Sequence, residues 1–280
     1  MMFPERHSRN NIEPSSDFYL PAFFIAVLFA INLSPVPFMA VRAAEIPLAQ
    51  RQSGFELMQA ETQAMQRNDL SNPAMLWVRE GEKLWDEKPG ENGQSCVACH
   101  GVVTGMAGVA ASYPTLDTAS GRPIDLTGRI QQCRTDRQRA SAWPRESRAL
   151  LAMASLIGLQ SRGMPIMPAP DPISKAGAAR GKALFNQRVG QLNLSCAQCH
   201  DDNWGRKLGS ATIPQGHPTG YPIYRLEWQG VGSLQRRLRN CLAGVRAEAF
   251  PFGADALIDL ELFLMERAAG MTVETPAVRP

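Results

Sequence analysis

Two stretches, SCVACHG at 95–101 and SCAQCHD at 195–201, constrain this 280-residue chain more than any other feature. Each sets two thiols three positions apart and follows them at once with an imidazole. That arrangement suits covalent attachment of haem c: both sulfurs add to the vinyl groups of one porphyrin, and the adjacent histidine turns under the ring to ligate iron. A redox CxxC pair is expected in a βαβ setting, and no such pattern surrounds either motif. The motifs therefore predict two haem c groups, attached through Cys96 and Cys99 and through Cys196 and Cys199, with His100 and His200 as proximal iron ligands.

The match between the halves runs well beyond the motifs. Gly81 and Leu84-Trp85 precede Cys96 as Gly181 and Leu184-Phe185 precede Cys196. Tyr113-Pro114 stands twenty residues before Cys133 and Tyr221-Pro222 twenty before Cys241, while Arg129 and Arg237 each lie four residues before their cysteine. Self-similarity of this extent marks an internal duplication. The expected fold is mostly α, with two tandem cytochrome c-like domains at 44–165 and 166–280 and long ordered loops; a hydrophobic content of 44% suffices for two modest cores.

Local signals fill in that outline. Asn72-Pro73 opens a helix with Trp77, Gly81, Leu84 and Trp85 on one face, and Ser174 is the expected cap of its counterpart. The stretch MPIMPAPDP (164–172) reads as a stiff surface linker between the domains. Leu257, Leu260, Phe263 and Leu264 repeat at helical spacing before Gly270, a candidate C-cap. No strand of sustained period two is visible, and the Gly/Pro-rich segment 201–231 reads as a long ordered loop.

At the N-terminus, the apolar run FYLPAFFIAVLFAINL (18–33), preceded by Arg6 and Arg9 and followed by V-R-A, reads as a secretory signal peptide over 1–43, the alternative being an uncleaved anchor. The expected destination is the periplasm. A net charge of +3 without a long basic run argues against nucleic acid as a partner.

Cys133 and Cys241 remain. A disulfide between them, inert buried thiols, and thiolate ligation of the two irons are all open to a pair that recurs once per half; the recurrence favours ligation. Met164, Met167, Met271 and His217 are other conceivable sixth ligands. Ser233 is positioned to cap a helix striped by Leu234, Leu238 and Leu242, which places Arg237 one turn before Cys241. A guanidinium there favours a thiolate and binds an anion; the plainer alternative is a solvated surface charge.

These residues resemble the SoxA family of bacterial sulfur oxidation, most sharply in DDNWGRKLGSATIPQGHPTGYPIYRLEWQ (201–229), RRLRNC (236–241), PFG (251–253) and LIDLELFL (257–264), with IQQCRTD (130–136) and both CxxCH motifs included. The resemblance implies an L-cysteine S-thiosulfotransferase that joins thiosulfate oxidatively to a cysteine of the SoxYZ carrier. Electrons pass to the haem of a SoxX partner and on to a cytochrome c acceptor. It further implies that Cys241 ligates the second haem and forms the catalytic cysteine persulfide, that Arg237 binds substrate, and that Cys133 is the axial ligand of the first haem. A thiosulfate dehydrogenase forming tetrathionate, a dihaem peroxidase and a plain dihaem electron-transfer cytochrome are the rival readings, against which the 201–229 loop and Cys241 weigh.

Overall fold

The structure, a computed structural model, describes residues 46–280. Segment 1–43, where a signal peptide is expected, lies outside the described residues. The first half runs α1 (Ala60–Arg67), α2 (Met75–Asp86), α3 (Cys96–His100), the two-stranded hairpin β1 (Thr115–Asp117) and β2 (Arg122–Ile124), α4 (Leu126–Gln132) and α5 (Arg148–Leu159). The second half repeats this order as α6 (Pro172–Asn186), α7 (Cys196–His200), β3 (Lys207–Leu208), β4 (Ala211–Thr212), β5 (Ile223–Arg225), β6 (Gly230–Gly232), α8 (Leu234–Gly244) and α9 (Asp255–Arg267), closing with β7 (Ala277–Arg279). Short helices joined by long connections are what the sequence pattern predicts.

Each half is built on one close helix pair. In α2 the residues Trp77, Val78, Gly81 and Trp85 are buried, and they meet α5, whose Leu150–Gly158 stretch is buried on all sides. Gly81 sits at the crossing, where a Cβ would stand 2.5 Å from the Ala152 carbonyl oxygen. The second half packs α6 on α9 in the same way, around Phe185, Leu257, Leu260 and Phe263, with Gly181 against the Asp259 backbone. Glycine is required at both crossings because the helices approach closer than a methyl group permits.

The duplication is also visible strand by strand. Both Tyr-Pro bonds, Tyr113-Pro114 and Tyr221-Pro222, are cis. Thr115, Leu116 and Asp117 pair with Ile124, Pro123 and Arg122, and Ile223, Tyr224 and Arg225 pair with Gly232, Val231 and Gly230, so the two hairpins share one register. A capped helix follows each hairpin: the Asp125 side chain accepts from Gly128 N, and the Ser233 hydroxyl from Arg236 N. Thus Asp117 and Arg225 occupy the same place, as do Arg129 and Arg237. The halves are also joined: β7 lies parallel to β5, and Tyr224, Val231 and Val278 share a core cluster with Trp77 and Leu151.

Four local expectations need amendment. Asp171, not Ser174, caps α6: its carboxylate accepts from Ser174 N at 2.8 Å, and Pro172 supplies the preset first helical φ. The 164–172 stretch is no surface linker throughout, because Ile166 and Ala169 are buried and the Ile166 N–H bonds to Met271 O, stitching the segment to the end of the second half. Gly270 takes φ +79° two residues beyond Ala268, the C-cap of α9. The 201–231 loop carries the small β3–β4 and β5–β6 hairpins. Among the described residues no helix is long and apolar enough to cross a membrane.

Candidate active site

Both CxxCH motifs form single-turn helices held by a serine at the N-cap. The Ser95 hydroxyl accepts from Ala98 N at 3.3 Å. In the second half the device is a full capping box, with Ser195 Oγ accepting from Gln198 N and Gln198 Oε1 accepting from Ser195 N at 2.9 Å. The aromatic that ends the preceding long helix stands beside each imidazole: Trp85 is 5.9 Å from His100, and Phe185 is 6.3 Å from His200, ring centre to ring centre. The spacing that the two halves share, from Trp85 and from Phe185 to the motifs, is therefore spatial as well as sequential.

His200 is the more constrained of the two histidines. Its Nδ1 lies 2.7 Å from the Pro214 carbonyl oxygen, so Nδ1 donates and Nε2 is left as the basic nitrogen. Gly216 packs against the same ring, where a Cβ would be 3.1 Å from His200 Cγ. Burial pushes the His200 proton affinity down; the hydrogen bond to Pro214 opposes this, and the charges of Arg267 and Arg237 add to it.

Cys133 and Cys241 are placed with the motif of their own half. No disulfide joins Cys133 to Cys241 in this structure. Burial and the neighbouring Cys133 push the Cys96 thiol up; burial, with Cys241 next, pushes the Cys196 thiol up to about 11. Each half thus gathers two attachment thiols, one imidazole and a third thiol from the helix after the hairpin. Among the described residues no group of three or more His, Cys, Asp or Glu side chains is arranged to hold a bare metal ion. The donor set fits haem c instead, which brings its own four nitrogens and asks the protein for two covalent anchors and axial ligands. Of the other ligand candidates, Met167 is exposed, Met271 packs against the Ile166–Val273 cluster, and His217 Nδ1 lies 3.0 Å from Gln52 O while its buried Nε2 has no hydrogen-bond partner among the described residues.

The arginines distinguish the halves. Arg129 pairs with buried Asp117 at 3.0 Å. Hydrogen bonds from Ser120 and Gln132, with Arg129, hold the Asp117 carboxyl well below the usual carboxylate range. In the second half Arg236 lies over the Trp228 ring at 4.3 Å and Arg239 over Phe252 at 4.4 Å. Arg237 alone of that basic run has neither a side-chain hydrogen bond, an ion pair nor a ring contact among the described residues, and it is half-buried. The RRLR stretch therefore holds one available cation, Arg237, flanked by Arg236 and Arg239, which are both stacked on rings.

A stability prediction arises from Asp117. Its folded-state proton affinity is depressed below the unfolded value of about 3.9, so its contribution is present above that pH and is lost as the pH falls through the folded value. Asp117→Asn should lower the melting temperature at neutral pH, and the gap to wild type should narrow toward about pH 2. A gap that stays constant in melts of the haem-loaded proteins across that range would remove the ion pair from the account.

A duplicated helical frame with a CxxCH turn in each half defines a c-type cytochrome, which carries covalently bound haem c. The family model for the SoxA/TsdA cytochrome c domain matches twice, at 80–166 and 180–273. The L-cysteine S-thiosulfotransferase subunit SoxA of Pseudaminobacter salicylatoxidans is 34% identical over 95% of this chain and 99% of its own, and that of Paracoccus pantotrophus is 36% identical over 81% and 78%. The crystal structure of SoxXA from P. pantotrophus superposes with a TM-score of 0.79 at 36% identity, covering 82% of this chain and 87% of the other. The chain belongs to the SoxA family.

Proposed function

We propose that this chain is the dihaem subunit of a periplasmic L-cysteine S-thiosulfotransferase, acting with a SoxX-type cytochrome on thiosulfate and on the cysteine of a SoxYZ-type carrier. The observation that carries the reading is Arg237, available and half-buried, one helical turn before Cys241 and beside the second CxxCH turn. Cys96, Cys99, Cys196 and Cys199 would attach two haems; His100 with Cys133 and His200 with Cys241 would supply the axial ligands.

The chain's own groups then have distinct tasks. Arg237 binds the sulfonate end of thiosulfate by charge-assisted hydrogen bonds, which orients the outer sulfur toward Cys241. The sulfur carried by Cys241, as a thiolate or as the outer atom of a persulfide, forms an S–S bond to that outer sulfur with loss of two electrons. Haem c, when bound, accepts such electrons one at a time and passes them to a cytochrome acceptor. The carrier's cysteine thiolate next attacks the outer sulfur, taking the S-sulfonate and returning the Cys241 sulfur as the leaving group. Net, a carrier thiol and thiosulfate lose one proton and two electrons and become a thiosulfonate.

The deciding experiment is the intact mass of the carrier after incubation with the haem-loaded protein, its small cytochrome, thiosulfate and an electron acceptor. A thiosulfonate adduct supports the reading; an unmodified carrier with accumulating tetrathionate overturns it in favour of a thiosulfate dehydrogenase. Arg237→Ala should raise KM for thiosulfate roughly tenfold or more, as expected for loss of a charged hydrogen bond, with little change in melting temperature. Unchanged kinetics would take Arg237 out of the site.

A further inference from the structure

The two halves present the same hairpin and helix in the same register, yet they differ at one telling place. In the first half the last residue of the strand after the cis proline is Asp117. Its carboxylate reaches across to Arg129 and Gln132 on α4 and neutralises the arginine that precedes Cys133. At the matching position of the second half stands Arg225, a second cation where the first half has a counterion.

We infer that Arg225 is the second arm of an anion clamp, holding with Arg237 the sulfonate end of the substrate beside Cys241. This rests on the proposed function, which supplies thiosulfate as the anion, and it deepens that reading by adding a binding residue.

The surroundings of Arg225 suit the role. Its side chain is largely enclosed, at 14% exposure, whereas its ion-pair partner Glu227 is 58% exposed at 2.8 Å. A solvated carboxylate is screened by water and offsets an enclosed guanidinium only in part. Arg225 Nε donates to Pro280 O at 2.7 Å and the group stacks at 5.2 Å from Trp228, which fixes its plane, while Nη1 has no partner among the described residues. The neighbouring Arg279 adds no further charge, because it is paired with Glu274. Burial lowers the proton affinity of Arg225, and Arg237 lowers it next, so the two guanidinium groups feel each other; Tyr221 and Cys241 lie within the same field. Two like charges held together in a half-buried site are relieved by a bound dianion. The first half, with Asp117 in place, offers no such relief. The clamp thereby gives the second cysteine site an anion-binding character that the first, with Arg129 paired to Asp117, lacks.

The test is calorimetric titration of the haem-loaded protein with sodium thiosulfate and with sodium sulfate at low ionic strength, without carrier or oxidant. Arg225→Gln should weaken thiosulfate binding roughly tenfold or more, and Arg225→Asp, which rebuilds the first-half ion pair, should abolish saturable binding. Arg225→Lys should lose affinity severalfold but less than Arg225→Gln, since lysine keeps the charge and gives up the fork and the stack on Trp228. Glu227→Gln should bind as well as wild type or tighter; a purely structural Arg225–Glu227 pair would instead lower the melting temperature in both variants and leave both dissociation constants alone. An unchanged dissociation constant in Arg225→Gln, with Arg237→Gln impaired, overturns the clamp. Carrier conjugation measured in parallel separates the two ideas. Conjugation with Arg225-independent binding sinks only the clamp, and Arg225-dependent binding without conjugation sinks only the proposed reaction.

Discussion

Replacing Cys241 with alanine is expected to abolish carrier conjugation, a fall of at least roughly a thousandfold, while leaving both haems covalently attached. The two halves of that statement rest on different parts of the chain. Attachment depends on Cys96, Cys99, Cys196 and Cys199, which sit in single-turn helices capped by their own serines and owe nothing to α8. In the proposed reaction turnover depends on the sulfur that α8 presents one turn after Arg237. Removing one half-buried sulfur costs about 1 kcal/mol of stability, too little to unfold a domain. Cys133→Ala deletes the same atom from the first half, where Arg129 is already neutralised by Asp117, and should leave the rate within about threefold of wild type. The checks are haem content by pyridine haemochrome and carrier mass against time. Full activity without Cys241, or equal loss without Cys133, would refute the assignment of roles.

The chemistry-bearing frame was legible in the sequence because duplication repeats what function and folding both need. Spacing matched Leu84-Trp85 before the first motif with Leu184-Phe185 before the second, and in space those aromatic rings neighbour His100 and His200. The equal intervals from Tyr-Pro to cysteine correspond to two hairpins of identical register. What stayed hidden depended on pairing across distance. Asp171 and Ser174 are both good capping residues three positions apart, and only the backbone turn at Pro172 decides between them. A Pro-rich segment reads as exposed by composition, but Ile166 finds a groove beside Val273 and Ala268 that no local pattern announces. Arg225 was in plain view within IYRLEW; its meaning required aligning it with Asp117 in TLD and knowing that Asp117 reaches Arg129. The domain division at 165/166 likewise has a physical complication, since β7 joins β5 while Val278 packs with Trp77 of the first half.

Gly181→Ala is expected to prevent the second half from folding around its haem. In an open helix this change is favourable by about 1 kcal/mol, because alanine loses less backbone entropy than glycine. Here the added carbon would lie 1.9 Å from the Asp259 carbonyl oxygen and 2.5 Å from its carbon, and both are main-chain atoms of a buried helix. A flexible neighbour could turn aside; α9 has to move as a body. That movement separates Phe185 from Phe263, whose ring centres stand 5.1 Å apart, and strains the paired hydrogen bonds of Arg180 to Asp259 at 2.7 Å. Overpacking of a closed core costs about 1–3 kcal/mol when side chains absorb it and more when backbone must shift, so the net sign is strongly unfavourable. Because Phe185 also adjoins His200, the damage reaches the second haem site. Gly81→Ala, with 2.5 Å to Ala152 O, should cost less, and Gly244→Ala, with nothing within 4 Å, should be neutral or stabilising. Haem content and melting temperature of the three variants should therefore fall in the order Gly244, Gly81, Gly181. A Gly181→Ala protein as stable as the Gly244→Ala protein would mean that the α6–α9 crossing is looser than its backbone contact requires.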